Sequence, residues 1–241
     1  MTTASASPMS VGTLDLNPYF KPWIGSEYQD RGSWSSNGEL ACAPHPLVHA
    51  LDESHYAGDY EIDESLTERV INDWAFTRDR GGTFFRRVIQ TVEGCEYSAV
   101  NPEAGWARIA YSNYVQEALS GPRIAPSLTQ WTDAERCFFG QLAITRPRVL
   151  LVLGRRLWDR LPFAPQNRLL PLSLPTPDNP VTDAWAYPFE ANGVRSLTIA
   201  VWSYHPSSSK FDWREAHRRV VAANMHFPHL EASIFDELGW R

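Results

Sequence analysis

Short apolar runs alternate with amphipathic stretches along this chain, and polar residues gather just after each run. LVHAL (47–51) reads as a short buried strand. SLTERVINDWAF (65–76) puts Leu66, Val70, Ile71, Trp74 and Ala75 on one helical face, with Ser65 as N-cap and Glu68 at the capping-box position. A second helix is predicted from Thr83 to Val92, led in by Gly81-Gly82. WARIAYSNY (106–114) contains a strand ending near Ser112-Asn113, and WTDAERCFFGQLAIT (131–145) a helix capped by Thr132 or Asp133. PRVLLVLG (147–154) is a buried, parallel-type strand ended by Gly154 and followed by the helix RRLWDRL. A Pro-rich loop is expected over 161–190. VRSLTIAVWSYHPSSS (194–209) is then a strand running into a Pro/Ser turn, and FDWREAHRRVVAAN a closing helix.

Strands that alternate with helices specify an α/β protein, here a three-layer α/β/α sandwich with a short, mainly parallel central sheet. Ligands of such sheets bind at the carboxyl ends of the strands. Four ends then converge: Asp52-Glu53-Ser54-His55-Tyr56, Ser112-Asn113, Gly154-Arg155 and Tyr204-His205-Pro206-Ser207. A chain of 241 residues is enough for one well-buried core. Residues 1–15 read as a flexible tail and 16–241 as a single domain.

Charge changes this picture more than composition does. The net charge of −6 opposes a nucleic-acid partner, but residues 1–75 carry a balance of −9 and residues 76–241 one of +3. Within 146–168 there are six arginines against Asp159 alone, so one face can be positive on an acidic protein. No apolar run approaches the ~20 residues that span a bilayer, and MTTASASPMSVGT lacks the pattern of a secretory signal. Cys42, Cys95 and Cys137 form neither a disulfide framework nor a metal clip, which suits a reducing compartment. A cytoplasmic monomer is the expectation.

The phosphate loop, the nucleophile elbow and the dinucleotide turn are all missing. His45, His49, Asp52, Glu53 and His55 lie within eleven residues and raise a metal site as an alternative. The prolines flanking His45 disfavour a helical His pair, and strand alternation need not bring the histidines together.

The strand-end residues carry a resemblance to the uracil-DNA glycosylase superfamily over roughly residues 20–225. LDESHYAG (51–58) sits where that superfamily has its first motif, G-Q-D-P-Y-H in one branch and G-E-A-P-G in another, which places Glu53 on the acid of the second. GGTFFRRVIQ (81–90) looks like the glycine-led helix that follows. IAYSNYVQ places Asn113 on the asparagine that reads the flipped base, and PRVLLVLGRRLWD is similar to the next strand-glycine-helix unit. SYHPSSS is similar to the H-P-S loop with its catalytic histidine.

The resemblance implies a monofunctional DNA glycosylase of the same sandwich fold, acting on DNA without a cofactor. Glu53 would position water and stabilise the sugar cation, His205 would stabilise the departing base, and Asn113 would read its edge. Asp52, Ser54, His55, Tyr56 and Tyr111 would line the base pocket, with Tyr60 a further candidate for stacking. Arg155, Arg156, Pro206, Ser207, Ser208, Ser209 and Lys210 would contact the DNA. The iron–sulfur branch needs four cysteines, more than this chain has. The first motif departs from the family in having Asp52 in place of the usual glycine and His55 in place of proline. Two enzyme versions stay open: removal of a modified pyrimidine such as that of phage DNA, in anti-phage defence, and repair of uracil or hypoxanthine. The modified base is favoured by the polar departures. A catalytically silent nucleic-acid-binding relative and a metal-dependent hydrolase using Glu53 and His55 are the rivals.

Overall fold

The computed structural model describes residues 18–28, 47–56, 58–76, 82–162, 168–173 and 181–240. The expected tail, Cys42 and His45 lie outside them. Seven strands form one sheet among these residues: β1 (Trp23–Ile24), β2 (Val48–Tyr56), β3 (Ala110–Leu119), β4 (Val149–Leu153), β5 (Arg168–Ser173), β6 (Val181–Ala191) and β7 (Val194–Ser203), in the order β1-β3-β2-β4-β7-β6-β5. Around it lie α1 (Leu66–Trp74), α2 (Thr83–Glu93), α3 (Pro102–Ala107), α4 (Leu128–Thr145), α5 (Arg155–Trp158) and α6 (Trp213–Glu237).

Alternation along each strand builds two cores. Val48, Ala50, Tyr111, Leu151, Leu153, Ile199 and Val201 face α1, α2, α3 and α6. Leu51, Tyr114, Leu150, Val152 and Ala200 face α4 and α5. The result is a central sheet with helices on both faces, as the alternation of elements predicts.

The sheet is mixed rather than mainly parallel. β2 pairs in parallel with β3 and β4, and β4 with β7, whereas β1, β5 and β6 join antiparallel. β5 and β6 lie inside the segment read as a Pro-rich loop. Their overlooked signal is Asn192-Gly193: both residues have positive φ, 52° and 73°, and they close a two-residue hairpin between Ala191 and Val194. Pro188 lies beyond Ala186, where the β5 pairing ends among the described residues, and stays paired with Leu197 of β7.

Three smaller expectations are also corrected. β2 and β3 do not stop at Leu51 and Asn113, because pairing continues from Asp52↔Asn113 through Ser54↔Val115 to Tyr56↔Leu119. Ser65 holds the N-cap position of α1 as expected, but its hydroxyl donates to Asp63 Oδ1 at 2.8 Å instead of forming the capping box. The capping box of α4 is Ser127 with Gln130, one turn before the predicted caps.

The order of the parallel strands places the site. The chain leaves β2 for β3 on one side and then crosses to β4 on the other, so the direction of winding reverses between β2 and β4. The crevice outside the carboxyl ends of these two strands is where a doubly wound sheet accepts ligands.

Candidate functional site

One step along β2 separates two acids in space. Asp52 shares the parity of Ala50 and lies in register with Asn113 of β3, so both side chains emerge on the face of α2. Glu53 shares the parity of Leu51 and emerges toward α5. There Arg156 grips it with two hydrogen bonds, Nε to Oε2 at 2.6 Å and Nη2 to Oε1. Glu53 and Arg156 are thus bound to each other across the switch between β2 and β4.

On the other face a polar chain is assembled under cover. The Tyr111 hydroxyl donates to Asp52 Oδ2 at 3.4 Å. The Tyr111 phenol is held well above its ordinary range by burial first and by the Asp52 charge second. Asn113 Nδ2 lies 2.9 Å from His55 Nε2, which also meets Thr67 Oγ1 at 2.9 Å. An amide nitrogen only donates, so Nε2 carries the lone pair and Nδ1 the proton. Burial holds His55 neutral, with its pKa lowered to about 4 against the opposing pull of Asp52. Phe20 packs edge-on against the ring, centroids 5.1 Å apart. The register shift of β2 between Ser54 and Tyr56 re-aims this end of the strand.

His205 enters from the turn after β7. Gly154 ends β4 with φ +127°, a conformation L side chains rarely adopt. Its backbone N–H donates to the Ser203 carbonyl at 2.9 Å, joining β4 to the start of the histidine loop. The Ser207 N–H donates to His205 Nδ1 at 3.1 Å, which leaves Nε2 to carry the proton. That nitrogen faces Asp52 Oδ1 at 3.4 Å, an electrostatic contact rather than a well-formed hydrogen bond. Burial lowers the pKa of His205, but the Asp52 contact and the Asp52 and Glu53 charges outweigh it and Arg156, and the net direction is upward. Arg87 of α2 pins the loop by donating to the carbonyls of Pro206 at 2.5 Å and Ser208 at 3.0 Å.

Asp52, His55, Tyr111, Asn113 and His205 therefore come together, and Glu53 is turned aside. Tyr56 is exposed at the end of β2, while Tyr60 is bonded to Asp73 and Trp74. Ser54 stays within the β2–β3 pairing, opposite Val115. Arg155 pairs with Asp159 and stacks on Trp202, and Lys210 lies over Tyr204. Ser207 and Ser209 are exposed and Pro206 is buried.

Three participants were missed in the sequence. Phe84 lies 5.3 Å from His205 and 6.3 Å from Tyr111, ring centre to ring centre, a better-placed aromatic than Tyr60. Its signal was the Phe84-Phe85 pair one residue after the glycines. Thr67 and Arg87 carry no local signature. They matter only through neighbours distant in sequence.

His49, a candidate in the metal alternative, points away into a separate cluster with Ser112 and Thr145. Among the described residues no three His, Cys, Asp or Glu side chains are grouped to hold a metal ion. No helix there is long and apolar enough to cross a membrane. No protein-family model matches the chain, and no curated protein is significantly similar to it in sequence.

Proposed function

We propose that the chain is a monofunctional DNA glycosylase of the uracil-DNA glycosylase superfamily. It would hydrolyse the N-glycosidic bond of a flipped base to leave an abasic site, acting on a modified pyrimidine such as that of phage DNA rather than in uracil or hypoxanthine repair. The observation that carries this reading is the meeting of a buried amide, a carboxylate and an imidazole from three strand ends, beside the Phe84 ring. The motif resemblance gives these groups their roles.

Of the two acids we assign Asp52 as the working carboxylate. Glu53 spends both oxygens on Arg156, which holds the carboxylate away from the imidazole. Asp52 keeps an oxygen without a hydrogen-bond partner among the described residues, beside the imidazole. As the C1′–N bond breaks, positive charge grows on the sugar and negative charge on the base. Water adds to C1′ and gives its proton to Asp52, while His205 Nε2–H supports the anionic base oxygen. The base leaves with the bonding electron pair and is protonated by solvent. Phe84 offers a face for stacking, and Asn113 reads the base edge. Lys210 and Ser207–Ser209 meet phosphates, with affinity that falls as salt rises.

Duplexes and single strands carrying uracil, hypoxanthine, 5-hydroxymethylcytosine or glucosylated cytosine test this directly. Alkali-labile sites are expected on the modified pyrimidine, with the intact base recovered by mass. Binding to all of them with alkali-labile sites on none, at excess protein, would leave the silent nucleic-acid-binding relative in its place.

A further inference from the structure

A second recess lies beside the histidine loop, between the end of β7 and the first turns of α6. Trp202, Tyr204, Lys210, Asp212, Glu215 and Arg219 line it, around a volume of about 90 Å³. That is room for a few waters or one planar ring. Apart from Lys210, none of these residues has a part in the chemistry of the crevice, although Tyr204 directly precedes His205.

The recess is built from rings and cations. Arg155 and Arg219 lie 5.0 and 4.7 Å from the centre of the Trp202 ring, and Arg219 Nη1 donates to the Trp202 carbonyl at 3.4 Å. Tyr204 meets the Trp202 ring edge-on, centroids 5.4 Å apart, and stays 42% exposed. Its ring is thus seated on one edge and open to a ligand. The two acids of the recess are already engaged within α6. Asp212 accepts from the Arg214 N–H, and Glu215 accepts from Arg218 and Arg219. Lys210 is different. Its ammonium lies 5.8 Å from the Tyr204 ring centre, near the limit of a cation–π contact, and it makes no ion pair among the described residues. A phosphate can draw it away, and its departure uncovers the ring.

We propose that this recess seats an unpaired base next to the flipped nucleotide, stacked on Tyr204, with Lys210 on the intervening phosphate. A π-face followed by an anion is what every nucleotide of a single strand offers, whatever its base. Consecutive Cα atoms lie about 3.8 Å apart, so Tyr204 and His205 can serve two adjoining nucleotides at once. A base in a duplex must leave its pair and its stack to reach Tyr204, whereas one in a single strand is already free. The loop also lacks a wedge. Ser207, Ser208 and Ser209 follow Pro206, with no bulky apolar side chain among them to prise a duplex open. The recess therefore favours single-stranded over duplex DNA. The site rests on the glycosylase reading for its flipped neighbour and adds a strand preference to it.

Binding of unmodified oligonucleotides tests the recess apart from the chemistry. The wild-type protein should bind a short thymidine single strand more tightly than the same strand paired with its complement. Equal or tighter binding of the duplex overturns the strand preference. Tyr204→Ala should weaken single-strand binding at least about fivefold, and Tyr204→Phe should keep it, since stacking needs the ring and not the hydroxyl. A strand of the same length whose bases are all replaced by abasic spacers is the control, and Tyr204→Ala should bind it as wild type does. Unchanged thymidine binding by Tyr204→Ala, or an equal loss on the abasic strand, overturns the stacking role. 5-Iodouracil in the single strand should photocrosslink to Tyr204 of the wild-type protein, and crosslinks found only at other residues overturn the site. Should Tyr204→Ala fail to fold, the crosslink decides. Base release judges the glycosylase reading separately. Tyr204-dependent binding with no base released from any substrate upholds the recess and removes the enzyme. Base release with Tyr204-independent binding does the opposite.

Discussion

Two histidine-centred clusters flank β2, and they are finished differently. His49 lies near the start of β2 on the α4 side, fully buried, with Nδ1 on Thr145 Oγ1 at 3.0 Å and Nε2 on Ser112 Oγ at 2.8 Å. Ser112 passes its proton to Gln141 Oε1, and Gln141 Nε2 donates to the Asn113 carbonyl. None of their side-chain polar atoms is left buried without a partner. The His55 cluster, at the strand end on the other face, leaves two acceptors unpaired. A closed network of buried polar groups holds a fold together, whereas an open one beside a crevice is poised for something else to complete it.

The sharpest way to break this contrast is to exchange the effects of the two clusters. Asp52→Asn and Asn113→Ala should each lower turnover by about 10²-fold or more, with melting temperatures within a few degrees of wild type. Steady-state kinetics beside calorimetry would decide, and wild-type rates would remove both residues from the reaction. His49→Leu should do the reverse. It removes the His49 contacts of Ser112 and Thr145, whose hydroxyls keep only their bonds to Gln141, and costs about 1–3 kcal/mol in denaturant unfolding, with turnover per folded molecule near wild type.

A smaller effect separates the neighbouring acids. Glu53→Gln should reduce turnover less than about tenfold, since its partner Arg156 is outside the reacting group; a loss equal to that of Asp52→Asn would return the catalytic role to Glu53. The mildest prediction concerns pH. Burial lowers the pKa of His49 to about 3 and of His55 to about 4, from the ordinary 6.5. The unfolded chain therefore binds protons that the folded chain refuses. Their contribution is fully present above about pH 6.5 and is lost as pH falls toward the folded values. Each contributes a slope of at most about 1.4 kcal/mol per pH unit. Unfolding midpoints measured from pH 7 to pH 5 should fall, and less steeply in His49→Leu.

Much of this was legible locally. Apolar runs of five to eight residues predicted β2, β4 and β7, and the glycine after LLVL marked the turn that meets the histidine loop. Asn113 and His205 were named from their places at strand ends, and both lie in the crevice. The β5–β6 region was misread because prolines outweighed the Asn192-Gly193 turn signal. Which acid faces His205 was not legible at all. The pleat sends neighbouring residues to opposite faces, so a one-residue difference in phase decides whether Asp52 or Glu53 meets His205.

The sequence by itself determined the α/β class, the core faces and the set of polar residues at the strand ends, because periodicity and burial are properties of neighbours along the chain. The tertiary structure alone decided which of those residues share a crevice and which atoms stay unpaired. Thr67 and Asn113, twelve and fifty-eight residues from His55, meet at its Nε2. Hydrogen-bond partners at such separations follow from the packing of whole elements, and no local pattern encodes them.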